Sequence, residues 1–111
     1  MATAARSTRD IILRTSDWQQ AREFYGNVLG FEVTYEDDRI IGFETGSIQL
    51  FIEKGESHGP VLELLVPDVE TAKRDLLAAG CLVQEEDPAV PKCYLRDPYG
   101  LVFNLGRARP G

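Results

Sequence analysis

The chain has 111 residues, 43% hydrophobic and 27% charged, with a formal net charge of −6. That length suits one domain with an ordinary hydrophobic core. The acidic balance, concentrated at Glu36-Asp37-Asp38 and Glu85-Glu86-Asp87, argues against nucleic acid or an anionic membrane surface as partner.

In chain order, residues 1–8 read as a frayed start. They are small and polar, so no secretory signal is expected, and no apolar run approaches the length of a membrane span. Cys81 and Cys93 show no CxxC or His-rich spacing. The expectation is a cytosolic protein with reduced thiols.

Residues 10–15 (DIILRT) alternate as a strand, and Ser16 and Asp17 offer a helix cap. The helix runs from Trp18 to about Val28, with Ala21, Phe24, Tyr25, Val28 and Leu29 on its apolar stripe, and Gly30 ends it. Strands follow at 31–35, 39–44 and 47–53, then the Gly- and Pro-marked linker 54–60, which carries the chain's single histidine, His58. Residues 61–66 form the next strand. Asp68 caps a helix over 69–79, and Gly80 closes it. Strands at 81–84, 92–96 and 101–105 complete the chain. The last two flank the turn Asp97-Pro98-Tyr99-Gly100, where Pro98 presets φ and Gly100 tolerates a positive one.

The order repeats with a period near 51 residues. IILRTSD matches LELLVPD, Leu29-Gly30 matches Ala79-Gly80, and Thr45-Gly46 matches Tyr99-Gly100. The predicted architecture is α+β: two tandem βαβββ modules (about 9–53 and 61–105) in a single domain over 1–111. Their sheets form a curved, mixed half-barrel with helices on the outer face and a trough on the other.

Strand parity assigns the trough residues. The first strand gives Asp10, Ile12 and Arg14, and the fourth gives Ile48, Leu50 and Ile52. The fifth gives Val61, Glu63 and Leu65, and the last gives Val102 and Asn104; Tyr94 and Arg96 share a face beside them. An apolar pocket with a few polar groups is the composition of a small-molecule site. Asn104, the one polar side chain in an apolar strand, needs a partner, a ligand or water. Two readings of Asp10, Arg14 and Glu63 stand: a structural ion cluster, or catalytic candidates with Glu63 or Asp10 as base and Arg14 as oxyanion partner. Phe24, Tyr25, Phe31 and Phe51 read as core rings, and Trp18 and Phe103 as exposed apolar contacts.

SDWQQAREFYGNVLGFEV (16–33), VPDVETAKRDLLAAGC (66–81) and RDPYGLVFNL (96–105) together resemble the vicinal oxygen chelate superfamily. It holds glyoxalase I, extradiol dioxygenases, methylmalonyl-CoA epimerase and the fosfomycin, bleomycin and mitomycin resistance proteins. The resemblance implies homodimers and metal ligands on the first and last strand of each module. Those places map to Asp10, Leu50, Val61 and Asn104, where the enzymes commonly carry His at the first and third and Glu at the last. Two apolar residues, an Asp and an Asn do not make a transition-metal site. Asp10, Glu63 and Asn104 offer at most a weak all-oxygen site for a hard divalent cation. The expected protein is therefore a metal-free and cofactor-free binder of an apolar or amphipathic organic molecule, sequestering or sensing it. The alternative is a glyoxalase-like lyase or dioxygenase with altered metal ligands.

Overall fold

The computed structural model describes residues 3–90 and 92–109. Two compact units emerge: Arg9–Pro60, and residues 3–8 grouped with the chain from Val61 onward. Each repeats the same order of one strand, one helix and three strands.

In the first unit, β1 (Arg6–Thr15) leads into α1 (Trp18–Glu23), followed by β2 (Glu32–Glu36), β3 (Ile40–Glu44) and β4 (Gln49–Lys54). The strand order is β2-β3-β4-β1. β1 runs parallel to β4, and the β2–β3 and β3–β4 pairs are antiparallel. The sheet is mixed because the helix connection returns the chain for a parallel partner while hairpins join the others. α1 widens into a π-helical turn over Phe24–Val28, in which the Leu29 N–H reaches back to the Phe24 carbonyl (2.9 Å). Gly30, at φ +77°, then turns the chain out of the helix. Ile41, Phe43, Leu50 and Ile52 are buried beneath this helix, with Ile11, Leu13, Trp18, Ala21, Tyr25 and Phe31 packed on them.

The second unit holds β5 (His58–Val66), α2 (Val69–Ala78), β6 (Leu82–Asp87), β7 (Lys92–Arg96) and β8 (Val102–Arg107). Its order is β5-β8-β7-β6, with β5 parallel to β8 and the other pairs antiparallel. Val66, Ala72, Cys81, Cys93, Leu95, Phe103 and Leu105 form its core, with Leu62, Leu64, Val69 and Leu76 against them. In the turn before β8, the Asp97 carboxylate accepts the N–H groups of Tyr99 (2.8 Å) and Leu101 (2.9 Å), and Gly100 sits at φ +102°.

Several expectations are corrected. Strand β1 starts at Arg6, inside the stretch read as frayed, and His58, Gly59 and Pro60 belong to β5, so the linker is shorter than 54–60. Phe103 is buried, not an exposed contact, because it points toward α2. Phe24 is the reverse: 47% exposed, on the open side of its helix. Leu50 and Ile52 lie under α1, and Ile48 sits in the turn before β4, its carbonyl accepting from the Thr45 N–H (3.0 Å). In the parallel register Leu50 stands beside Ile11, and Phe51 beside Ile12. The fourth strand therefore turns Gln49, Phe51 and Glu53, not Leu50, to the helix-free face.

Candidate functional site

On the helix-free face of the second unit, register settles the neighbours. Leu62, Leu64, Phe103 and Leu105 pack toward α2, so Val61, Glu63, Val102 and Asn104 face the other way. Glu63 stands beside Asn104, Asn104 beside Tyr94, and Tyr94 beside Glu85, which makes one row across four strands.

Within that row the contacts are specific. Asn104 Nδ2 donates to Glu63 Oε2 (2.8 Å), and the Cys93 backbone N–H donates to Asn104 Oδ1 (2.8 Å). The β7–β8 ladder runs from Arg96 to Tyr94, so the Asn104 amide takes up the Cys93 N–H just past its end. This answers the polar misfit in the sequence: a carboxamide both accepts from the strand and donates to a carboxylate. The other carboxylate oxygen of Glu63 lies over Gly106, where a Cβ would stand 2.6 Å from it. Gly106 thus leaves the space that the acid occupies. Lys92 pairs with Glu85 (2.8 Å) and lies over the Tyr94 ring (5.4 Å to its centroid). Val61 and Tyr94 are buried, while Glu63, Val102 and Asn104 are half-buried.

The corresponding row of the first unit is apolar. Ile12 stands beside Phe51 and Phe51 beside Gly42, whose Cβ, if present, would meet the Phe51 ring at 2.7 Å. Asp10 and Arg14 flank Ile12 on the same face, opposite Gln49 and Glu53. Burial raises the Asp10 pKa above its ordinary 3.8, and the Arg9 charge offsets part of that rise. The Arg14 stem passes over Gly55, where an added Cβ would lie 2.8 Å from its Cδ. Phe51 was missed in the sequence because SIQLFIE carries apolar residues on both parities; the mid-strand glycine at 42 was the available signal of a close approach.

Residues 10–106 match the glyoxalase-like domain family. The chain belongs to that family. No protein of curated function is significantly similar in sequence. Among solved structures, this glyoxalase-like chain is similar to a hypothetical protein of Bacillus halodurans C-125 (13% identity, 97% of each chain, TM-score 0.67). It is also similar to a glyoxalase/bleomycin resistance protein/dioxygenase superfamily member of Vibrio splendidus 12B01 (19% identity, 95% and 100% of the chains, TM-score 0.61). A third is homoprotocatechuate 2,3-dioxygenase of Brevibacterium fuscum in complex with 3,4-dihydroxyphenylacetate (25% identity, TM-score 0.62). There the match covers 96% of this chain but 37% of the dioxygenase, so the chain spans about a third of that enzyme.

The metal positions that such a fold implies are poorly supplied in this glyoxalase-like chain. Among the described residues, no three His, Cys, Asp or Glu side chains gather as a metal would need. Leu50 is turned into the core, Val61 has no donor, and the Asn104 oxygen already accepts a backbone N–H. A Glu at 104 would put a second carboxylate against Glu63; the amide removes that conflict. The donor set does not fit a transition metal. Both thiols are free and buried, and burial pushes each thiol pKa up, which disfavours a thiolate ligand or nucleophile.

Proposed function

We propose that this glyoxalase-like chain is a binding protein for a small organic molecule that works without a resident metal, by sequestration or as a sensor or carrier. The observation that carries the reading is Asn104, whose amide is tied to Cys93 and Glu63 in place of an open donor. Glu63 and Asn104 then form a polar anchor among Val61, Val102 and Tyr94, which suits an amphipathic ligand. The same reading makes the protein a cytosolic homodimer, to be checked by light scattering.

The test is a thermal-shift screen of organic ligands with parallel metal analysis of protein purified without chelator. A true ligand raises the melting temperature saturably, in the presence or absence of chelator. Glu63→Gln is expected to weaken that response while leaving the unliganded protein folded. Stoichiometric Zn, Ni, Mn or Fe in the purified protein would overturn the proposal.

The likeness to a dioxygenase favours a second reading, an enzyme with altered ligands. It calls for ring-cleavage turnover when the protein is given Fe(II) and 3,4-dihydroxyphenylacetate, the compound held by the related dioxygenase. Absence of turnover under anaerobic loading and aerobic assay leaves the binding protein as the reading.

A further inference from the structure

A cleft of about 340 Å³ opens beside α1 in the first unit; Leu13 and Ile52 line it from the helix side of the sheet, and Arg14, which leaves β1 on the Ile12 face, reaches its rim. Its floor is Leu13 and Ile52, and one wall is a helical stripe, Asp17, Gln20, Ala21 and Phe24. These lie at i, i+3, i+4 and i+7, the spacing of one helix face. Such a stripe normally closes onto its sheet. Here Phe24 stays 47% exposed, and its ring stands edge-on to Tyr25 at 5.1 Å. The result is an aromatic lip over an apolar floor.

The polar end of the cleft is Asp17. It stands at the start of α1 but makes no side-chain capping bond; its backbone N–H donates to Thr15 Oγ1 (3.0 Å) and its carbonyl accepts from the Ala21 N–H (3.0 Å), while its carboxylate caps nothing. The internal repeat supplies a control. Its counterpart, Asp68, accepts from the Thr71 hydroxyl, and that bond holds its pKa below the ordinary value. At the equivalent place after Asp17 stands Gln20, which lines the cleft instead. Neither aspartate caps its helix with a side-chain bond, but Asp68 has a hydroxyl partner in Thr71 where the first unit has Gln20. Arg14, also at the rim, has its stem packed over Gly55.

We propose that this cleft is a second small-molecule site, for a single-ring organic amine whose ammonium pairs with Asp17 and whose ring packs against Phe24 and Tyr25. The volume lies at the lower end of small-molecule sites, roughly 300–1,000 Å³, which selects one ring over a larger scaffold. The acidic protein also attracts a cation at long range. This site shares no residue with the Glu63–Asn104 row, so the two stand or fall separately.

The probe is 2-phenylethylamine, with 2-phenylethanol as its neutral counterpart, titrated into the full chain by heteronuclear NMR. Saturable shifts are expected at Ala21, Phe24, Tyr25 and Ile52, with the amine binding more tightly than the alcohol. Asp17→Asn, an exposed change that spares the core, should weaken the amine about threefold to fivefold and leave the alcohol unchanged, the size expected of an exposed ion pair. Phe24→Ala should weaken both, and Glu63→Gln neither. The proposal is overturned by amine shifts that map to Glu63 and Asn104, by an Asp17→Asn variant that binds as wild type, or by no saturation.

Discussion

Asn104 shows how one side chain can redirect a site. Its amide satisfies a strand N–H and a neighbouring acid at once, each at 2.8 Å. An isosteric acid would keep the first bond and turn the second into a repulsion. Asn104→Asp is therefore expected to destabilise the fold by about 1–3 kcal/mol at pH 7, the cost of a half-buried polar group facing the wrong partner. The penalty should shrink near pH 5, because two adjacent carboxylates retain a shared proton well above their ordinary range. Urea unfolding at the two pH values checks this; an equal loss at both would refute the electrostatic account. Gly106→Ala is a complementary probe. Its Cβ would fall 2.6 Å from the Glu63 carboxylate, so the acid must swing aside. Leu65 Cδ2, 3.2 Å from the same Cβ, must also give slightly, and because only flexible side-chain ends move, the stability loss should stay at the low end of overpacking, about 1 kcal/mol. Ligand binding that depends on Glu63 should weaken as it does in Glu63→Gln.

At the scale of elements, the repeat was legible because it rests on local chemistry: a polar cap, a helical stripe, a terminating glycine and short alternating strands. The DPYG turn was legible for the same reason. The face of β4 was not. Its sequence has Ile48, Leu50 and Ile52 on one parity and Phe51 on the other, so alternation alone does not choose, and only the parallel register with β1 does. The edges of the short linker were lost likewise, since Gly59 and Pro60 punctuate a loop in most contexts yet here open β5. The faces that the β1, β5, β7 and β8 residues take followed from parity, whereas the Asn104–Glu63 bond needed the pairing of strands 41 residues apart. The corrected core makes its own prediction. Phe43, fully buried beside Leu50 and Ile52, should cost about 3–5 kcal/mol when cut to Ala, read as a lower urea midpoint. Tyr35, 51% exposed on β2, should cost far less when changed to Phe.

For the whole molecule, the pH response follows from which carboxylates gain partners on folding. Glu36 is held below its ordinary 4.5 first by its bond to Arg22, and Glu44 first by the Gly46 N–H and then by Arg9. Asp37 and Asp68 are held below 3.8 chiefly by hydroxyl bonds from Tyr35 and Thr71. A carboxylate with a depressed folded pKa stabilises the native state above its unfolded pKa, and that contribution is lost as pH falls through the folded value. These four groups therefore weaken the fold progressively as pH drops below about 4.5. Asp10 acts in the opposite sense. Its folded pKa is raised, so the native state gains relative stability as pH falls from that value toward 3.8. Four exposed partners against one partly buried acid give a net acid loss, and salt should flatten it because exposed pairs are screened. Urea midpoints measured at pH 7, 5, 4 and 3 should be level at first and then fall. Glu36→Gln should soften the fall, whereas Asp10→Asn should raise the midpoint at pH 7 and lose that advantage below pH 3.8. A wild-type midpoint that stays constant down to pH 3 would show that these bonds form equally in the unfolded chain or not at all in the folded one.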